Sequence, residues 1–177
     1  AGFRGKLNNC IIKANTSHGM YFNTGKGDTI IGEYAITDTR ISENGEDGIN
    51  IRYATEVTNS SLRVSDCDIN SNGRHGVNFE AGPVVNADVI NNRIWNNGQT
   101  TAGNGVNSSR AMTKCRISNN SIRDIQTTAT QQYPVSISGN LTDTDISFNH
   151  CVGNAQNSLN LTGAQTRVTT INNPGIA

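Results

Sequence analysis

The sequence predicts an all-β solenoid of about six complete coils, three short strands to a coil, with residues 1–177 forming a single domain. Two observations carry that expectation: a hydrophobic mark that returns every 25 to 29 residues, and period-two alternation beside each mark. Composition adds to them. Asn, Thr, Ser and Gly supply 77 of the 177 positions, and these residues are poor in helix interiors.

The mark is an apolar residue, four mostly polar residues and a second apolar residue. It recurs as Leu7 to Ile12, Ile36 to Ile41, Val64 to Ile69, Val89 to Ile94, Ile117 to Ile122, Ile146 to Cys151 and Ile171 to Ile176. Around its first member, alternation points Tyr34 and Ile36, Leu62 and Val64, Ala87 and Val89, Cys115 and Ile117, Thr144 and Ile146, and Thr169 and Ile171 inward. Between the two apolar members lies a tight corner occupied by Asn9, Asp38, Asp66, Asn91, Asn119 and Asn173, with Phe148 as the exception. Asn and Asp tolerate left-handed backbone angles and bond to neighbouring backbone, which suits them to a bend repeated in every coil. Three residues after the second apolar member come Asn15, Asn44, Asn72, Asn97 and Asn154, with Ile125 breaking the series. A third strand then opens on Gly19, Gly48, Gly76, Gly105, Pro134 or Ser158.

The I-x-x-x-x-I spacing with an Asn/Asp corner, as in Val89-Ile90-Asn91-Asn92-Arg93-Ile94 followed by Asn97, resembles the right-handed parallel β-helix superfamily. That superfamily includes pectate lyases, polygalacturonases, alginate epimerases and bacteriophage tailspikes, and the tailspike β-helix is the nearest in kind. The resemblance spans nearly all of residues 7–176 and implies a polysaccharide partner, a homotrimer and a virion-tail or extracellular setting. Enzymes, binding modules and inert shafts all use such folds, so activity must be argued from side chains. No amphipathic helix flanks the marks, and an open stack exposes strand edges. The expectation is therefore a segment of a longer β-helix, or an oligomer that covers the ends.

Charge narrows the partners. With 14 basic and 14 acidic side chains the net charge is zero, which argues against a nucleic-acid partner. No apolar stretch reaches the length of a membrane span, and Ala1-Gly2-Phe3-Arg4 does not open a signal peptide. No cofactor is implied. Cys10 and Cys67 share a corner position two coils apart, about 9–10 Å by strand spacing, so four free thiols are expected.

In the enzymes that this pattern resembles, glycans lie along the sheet made by the third strands. Its outward column reads Tyr21, Asn50, Asn78, Asn107, Ser136 and Asn160, and the next reads Asn23, Arg52, Glu80, Ser109, Ser138 and Thr162. Amides and hydroxyls spaced by about 4.8 Å form a donor and acceptor lattice suited to sugar hydroxyls, although stacked amides also stabilise coils without any ligand. The binding candidates are Tyr21, Asn50, Asn78, Asn107 and Arg74. Insertions at Gly98–Gly103 and Gln126–Tyr133, with long connections Phe22 to Ile36 and Ile51 to Val64 opposite, frame a groove over coils two to four.

The catalytic candidates are Asp47, Glu80, His75 and Arg52. A carboxylate beside an imidazole prepares an acid or base, and Asp47 precedes His75 by one coil. Strand counting places Asp47 and Glu80 too far apart for a glycosidase pair, which needs about 5–5.5 Å or 6.5–9.5 Å. Arg52 with Glu80, and Glu46 with Arg74, read as cross-strand ion pairs. Glu43, Glu56 and Asp124 fall in loops whose shape the sequence leaves open. The chain lacks the adjacent Asp pair and Gly-His-Gly of polygalacturonases and the Asp-Pro-His-Glu string of alginate epimerases. Asn50, Asn78 and Asn107 stand where pectate lyases carry calcium-binding carboxylates, so no metal site is expected. The alternatives to a tailspike are a secreted polysaccharide lyase or epimerase, and a non-catalytic shaft or adhesin stalk.

Overall fold

The computed structural model describes residues 5–23, 30–53 and 59–175. Every regular element among them is a strand, and the strands pair in parallel. Wall one stacks Gly5–Asn8, Ile30–Thr37, Asn59–Ser65, Ala87–Ile90, Arg116–Ser118 and Asp145–Ser147. Wall two stacks Ile11–Lys13, Arg40–Ser42, Asp68–Asn70, Arg93–Trp95, Ser121–Arg123 and His150–Val152. Wall three stacks Met20–Asn23, Ile49–Arg52, Val77–Ala81, Val106–Ser108, Val135–Ile137 and Asn160–Leu161. The result is a solenoid of about five turns rather than six, with three main walls. No helix among the described residues is long and apolar enough to cross a membrane.

Each hydrophobic mark folds as alternation requires. Ile36, Val64, Val89, Ile117 and Ile146 line the inside of wall one, Ile41, Ile69, Ile94, Ile122 and Cys151 that of wall two, and Ile49, Val77, Val106 and Val135 that of wall three, all buried. Each contributes about 1.5–3 kcal/mol of apolar burial, so the column is the main source of stability. The corner between walls one and two has positive φ at Asn9, Asp38, Asp66, Asn91 and Asn119, and Phe148 adopts it too at 55°.

The last coil departs from the expected register by one residue. Thr169 bridges Asp145, and the Phe148 N–H donates to the Ile171 carbonyl, which puts Thr170, not Ile171, beside Ile146. Ile171 is consequently half exposed, Thr169 is exposed, and the positive-φ corner is Asn172 instead of Asn173.

A fourth, minor wall stacks Val84–Val85, Met112–Thr113, Leu141–Thr142 and Gln165–Thr166. Its corner again uses positive φ, at Asn86, Lys114, Asp143 and Arg167. The three-sided expectation therefore holds for the main walls and omits this short side.

Two amide ladders run inside the solenoid. In the first, Asn15 donates to Asn44 at 2.8 Å, Asn44 to Asn72 at 2.9 Å and Asn72 to Asn97 at 3.0 Å. It continues from Asn97 to Gln131 at 3.0 Å and from Gln131 to Asn154 at 2.6 Å. Gln131 thus fills the gap at Ile125, because the inserted loop carries the ladder position six residues onward. The second ladder joins Asn92, Asn120, Asn149 and Asn173 by bonds of 2.9–3.0 Å. Buried amides are satisfied this way without water.

All four cysteines are free thiols. Burial pushes Cys67 and Cys115 up to about 11 and Cys151 up to about 12, so these three stay protonated and unreactive near neutral pH.

Candidate functional site

Wall three begins at a constriction. A Cβ on Gly48 would lie 2.7 Å from the Gly76 carbonyl oxygen, and one on Gly76 would lie 2.6 Å from that of Gly105. Only glycine lets successive coils close this tightly before the strand opens.

The residue just before each of these glycines caps the next coil. The Asp47 N–H donates to His18 Nδ1 at 3.3 Å, the His75 N–H to Asp47 Oδ1 at 3.0 Å, the Asn104 N–H to His75 Nδ1 at 2.9 Å and the Tyr133 N–H to Asn104 Oδ1 at 3.2 Å. His, Asp and Asn share this column because each offers an acceptor there.

Asp47 is the hub of the face, with no exposed side-chain surface. Arg74 grips it with Nε at 2.8 Å and Nη2 at 2.5 Å, while Asn50 and Asn78 donate to Oδ2 at 2.7 Å and 2.9 Å. Burial alone would raise its pKa, but the bonds from Arg74, Asn78 and the His75 N–H outweigh it and hold the carboxyl below its ordinary value. Asn104 donates to Asn107 at 2.9 Å, and Asn107 to Asn78 at 2.8 Å, so the amide column feeds the same hub.

This packing changes what the columns offer. Asn50 and Asn78 were expected on the open lattice, yet both are buried, because their amides turn toward the Asp47 charge. Asn107 is half-buried and Tyr21 is exposed, its ring stacked on His18 at 5.3 Å. Arg52 is exposed and pairs in register with Ala81, because a bulge displaces Glu80 from that column. The expected Arg52–Glu80 pair is therefore not formed in register. Arg74 bonds Asp47 instead of Glu46, and Glu46 accepts from Ser17 at 2.9 Å and lies 3.0 Å from His18 Nε2.

Glu80 approaches Asp47 more closely than strand counting allows. The Asn50 Nδ2 that donates to Asp47 also donates to Glu80 Oε2 at 2.9 Å. One nitrogen bridging both acceptors keeps the two oxygens within about 5.6 Å. Counting along the backbone missed this because the side chains lean together over Asn50.

Burial pushes the His75 imidazole down to about 4, with Arg74 acting in the same direction and Asp47 opposing. With Nδ1 accepting from Asn104, the neutral ring carries its proton on Nε2. His75 therefore presents a donor rather than a free base.

The inserted loop after Asn97 folds back so that the Thr100 and Thr101 N–H groups donate to the Gly73 carbonyl at 2.9 Å and 3.0 Å. With Thr16, Gly45, Glu46 and Arg74 these threonines line a cleft of about 370 Å³ beside wall three. The second insertion is pinned by buried Asp124, which accepts from the Gln126, Thr130 and Gln131 N–H groups at 2.8–2.9 Å. Asp124 is thus a loop anchor. Glu43 is exposed at the end of wall two, 4.0 Å from Arg40. Glu56 and the middles of the two long connections opposite lie outside the described residues. Among the described residues, no group of three His, Cys, Asp or Glu side chains is arranged to hold a metal ion.

His18 and Glu46 also belong to this face, although the sequence reads Glu46 only as a partner for Arg74 and names neither among the candidate site residues. The signal for His18 is the acceptor column His18, Asp47, His75, Asn104 at the entry to wall three, and Glu46 lies in the preceding column with Ser17 and Arg74.

No protein-family model matches the chain, and no curated protein matches it. Among solved structures it is similar to the A-module of the mannuronan C-5 epimerase AlgE6 from Azotobacter vinelandii, with a TM-score of 0.52 and 15% identity. The similarity covers 96% of this chain and 55% of that one, so the chain spans about half the length of the module. At this identity the likeness establishes a shared β-helix fold.

Proposed function

We propose that this β-helix recognises a bacterial surface polysaccharide along wall three, in the manner of a phage tailspike, and that Glu80 is the group through which any cleavage would proceed. The observation that carries the reading is the half-open cluster of Glu80, Arg74, Glu46, His18 and Tyr21 over a rigid Asp47 hub, beside the Thr100–Thr101 cleft. Tyr21 supplies a stacking face, Glu46 and Arg74 supply hydrogen bonds to hydroxyls, and Glu80 remains partly open to solvent. Asp47 is buried and bonded on both oxygens, so it is a positioning residue and not the nucleophile. Homotrimerisation and a virion or extracellular location belong to the same proposal.

A uronate lyase or epimerase is the second reading, favoured by the structural neighbour named for mannuronan epimerisation. In that case Arg74 would face the substrate carboxylate and the His75 Nε2–H would donate to it.

A panel of capsular and O-antigen glycans, followed by reducing-end and unsaturated-uronate assays, tests both. Glycan binding with turnover reduced about 10²-fold or more in Glu80→Gln supports the first reading, since general acid–base groups contribute about 10²–10⁴. Release of unsaturated uronate, or inversion at C5 followed by proton NMR with the chain intact, supports the second. A chain that binds no glycan of the panel is a shaft or stalk, and the proposal fails.

A further inference from the structure

Wall two carries a second cluster that the wall-three reading does not use. Its outward columns place Arg40, Asp68 and Arg93 on successive coils, and Asn70, Trp95 and Arg123 two residues along. Trp95 is the chain's single tryptophan and is half-buried on an otherwise polar face. Its indole N–H donates to Asp68 Oδ1 at 2.7 Å, and Asn70 donates to the same oxygen at 3.1 Å. The ring is thus held in one orientation. The Arg93 guanidinium sits 5.6 Å from the ring centroid, within cation–π range.

Arg123 is the in-register neighbour of Trp95 on the next coil, about one strand spacing or 4.8 Å away. Its Nε is buried and has no acceptor among the described residues. Arg123 itself is only partly buried, so the outer edge of its guanidinium faces solvent, and a planar anion is what that edge would bind. Arg40 is paired with Glu43 at 4.0 Å, so the positive charge beside the ring comes from Arg93 and Arg123, which Asp68, already engaged by the indole and an amide, offsets only in part.

We infer that this cluster is a binding site for a carboxylate-bearing sugar, a uronate unit whose ring face stacks on Trp95 and whose carboxylate meets the Arg123 fork. An oriented indole flanked by guanidinium groups matches a ligand that is apolar on one face and anionic at one edge. Nucleic acid is the less fitting anion, because the cations here are few and interrupted by an acid, and the chain has no net positive charge.

The single tryptophan reports on the site directly. The full chain is titrated with an oligogalacturonate while Trp95 emission is followed, with the carboxyl-reduced oligosaccharide and a single-stranded oligonucleotide as parallel arms. The expected result is a saturable emission change with the uronate, about tenfold or more weaker binding of the reduced sugar, and about tenfold weaker uronate binding in Arg123→Gln. Arg93→Gln, at an exposed position, should also weaken binding and serves if Arg123→Gln fails to fold, as judged by circular dichroism. Glu80→Gln should leave the emission titration unchanged, so loss of wall-three function and loss of this site are separable. The inference is overturned by no emission change, by equal responses to the two sugars, by tighter binding of the oligonucleotide, by unaltered affinity in the arginine variants, or by loss of the signal in Glu80→Gln.

Discussion

Replacing Asp47 by Asn tests the organisation of wall three at its centre. The substitution keeps the shape but puts an amide NH₂ where one oxygen accepts from two or three donors. Removing one partner of a buried ion pair costs about 3–5 kcal/mol, and hydrogen bonds to charged groups contribute about 1.5–3 kcal/mol each. The Arg74 side chain is 36% exposed, so water recovers part of its charge, and the lower end of about 3 kcal/mol is expected at pH 7. Because the Asp47 pKa in the folded chain lies below its ordinary 3.8, the stabilisation is fully present above 3.8 and is lost as pH falls through the folded value. Urea unfolding followed by far-UV circular dichroism, for both proteins at pH 7 and in acid below 3.8, measures this. A deficit under about 1 kcal/mol at pH 7, or one that is unchanged in acid, would refute the hub.

Other expectations follow from the same geometry. His75 is held neutral down to about 4 whereas the unfolded chain protonates near 6.5, so stability should fall by about 3 kcal/mol as pH drops through that window. In His75→Asn, which keeps an acceptor, that slope should flatten in pH-dependent thermal melts. Gly48→Ala should cost about 1–3 kcal/mol in denaturant titrations, because the new methyl group meets a backbone oxygen that cannot move aside. Phe148→Asn should raise the melting temperature, gaining about 0.5–1 kcal/mol, since a half-exposed phenylalanine occupies a left-handed corner where other coils place Asn or Asp.

The coil register was legible because burying Ile36, Val64, Val89, Ile117 and Ile146 in one column requires a fixed repeat, and burial leaves its mark in residue type. It failed at the last coil, where a slip of one residue sets exposed Thr170 rather than Ile171 beside Ile146. The minor wall escaped notice because two-residue strands such as Val84–Val85 are too short to show alternation. At the site, the sequence brought Asp47, Arg74, His75 and Glu80 to one face. Their contacts were not readable, because a bulge shifts Arg52 onto Ala81, and Asp47 from the same coil and Glu80 from the next both converge on Asn50. Asn50 and Asn78 were assigned to the ligand by their outward parity, which says where a Cβ points and nothing of where an amide bends.

The amide ladders have a direction. Every step from Asn15 through Gln131 to Asn154 gives its hydrogen to the following coil, so the side-chain dipoles add head to tail along the axis like cars of a train. A coil offered in reverse would meet oxygen with oxygen. The rod is therefore vectorial: grafting or duplicating whole coils in the same sense should propagate the stack, while head-to-head joining should be refused at its innermost contact.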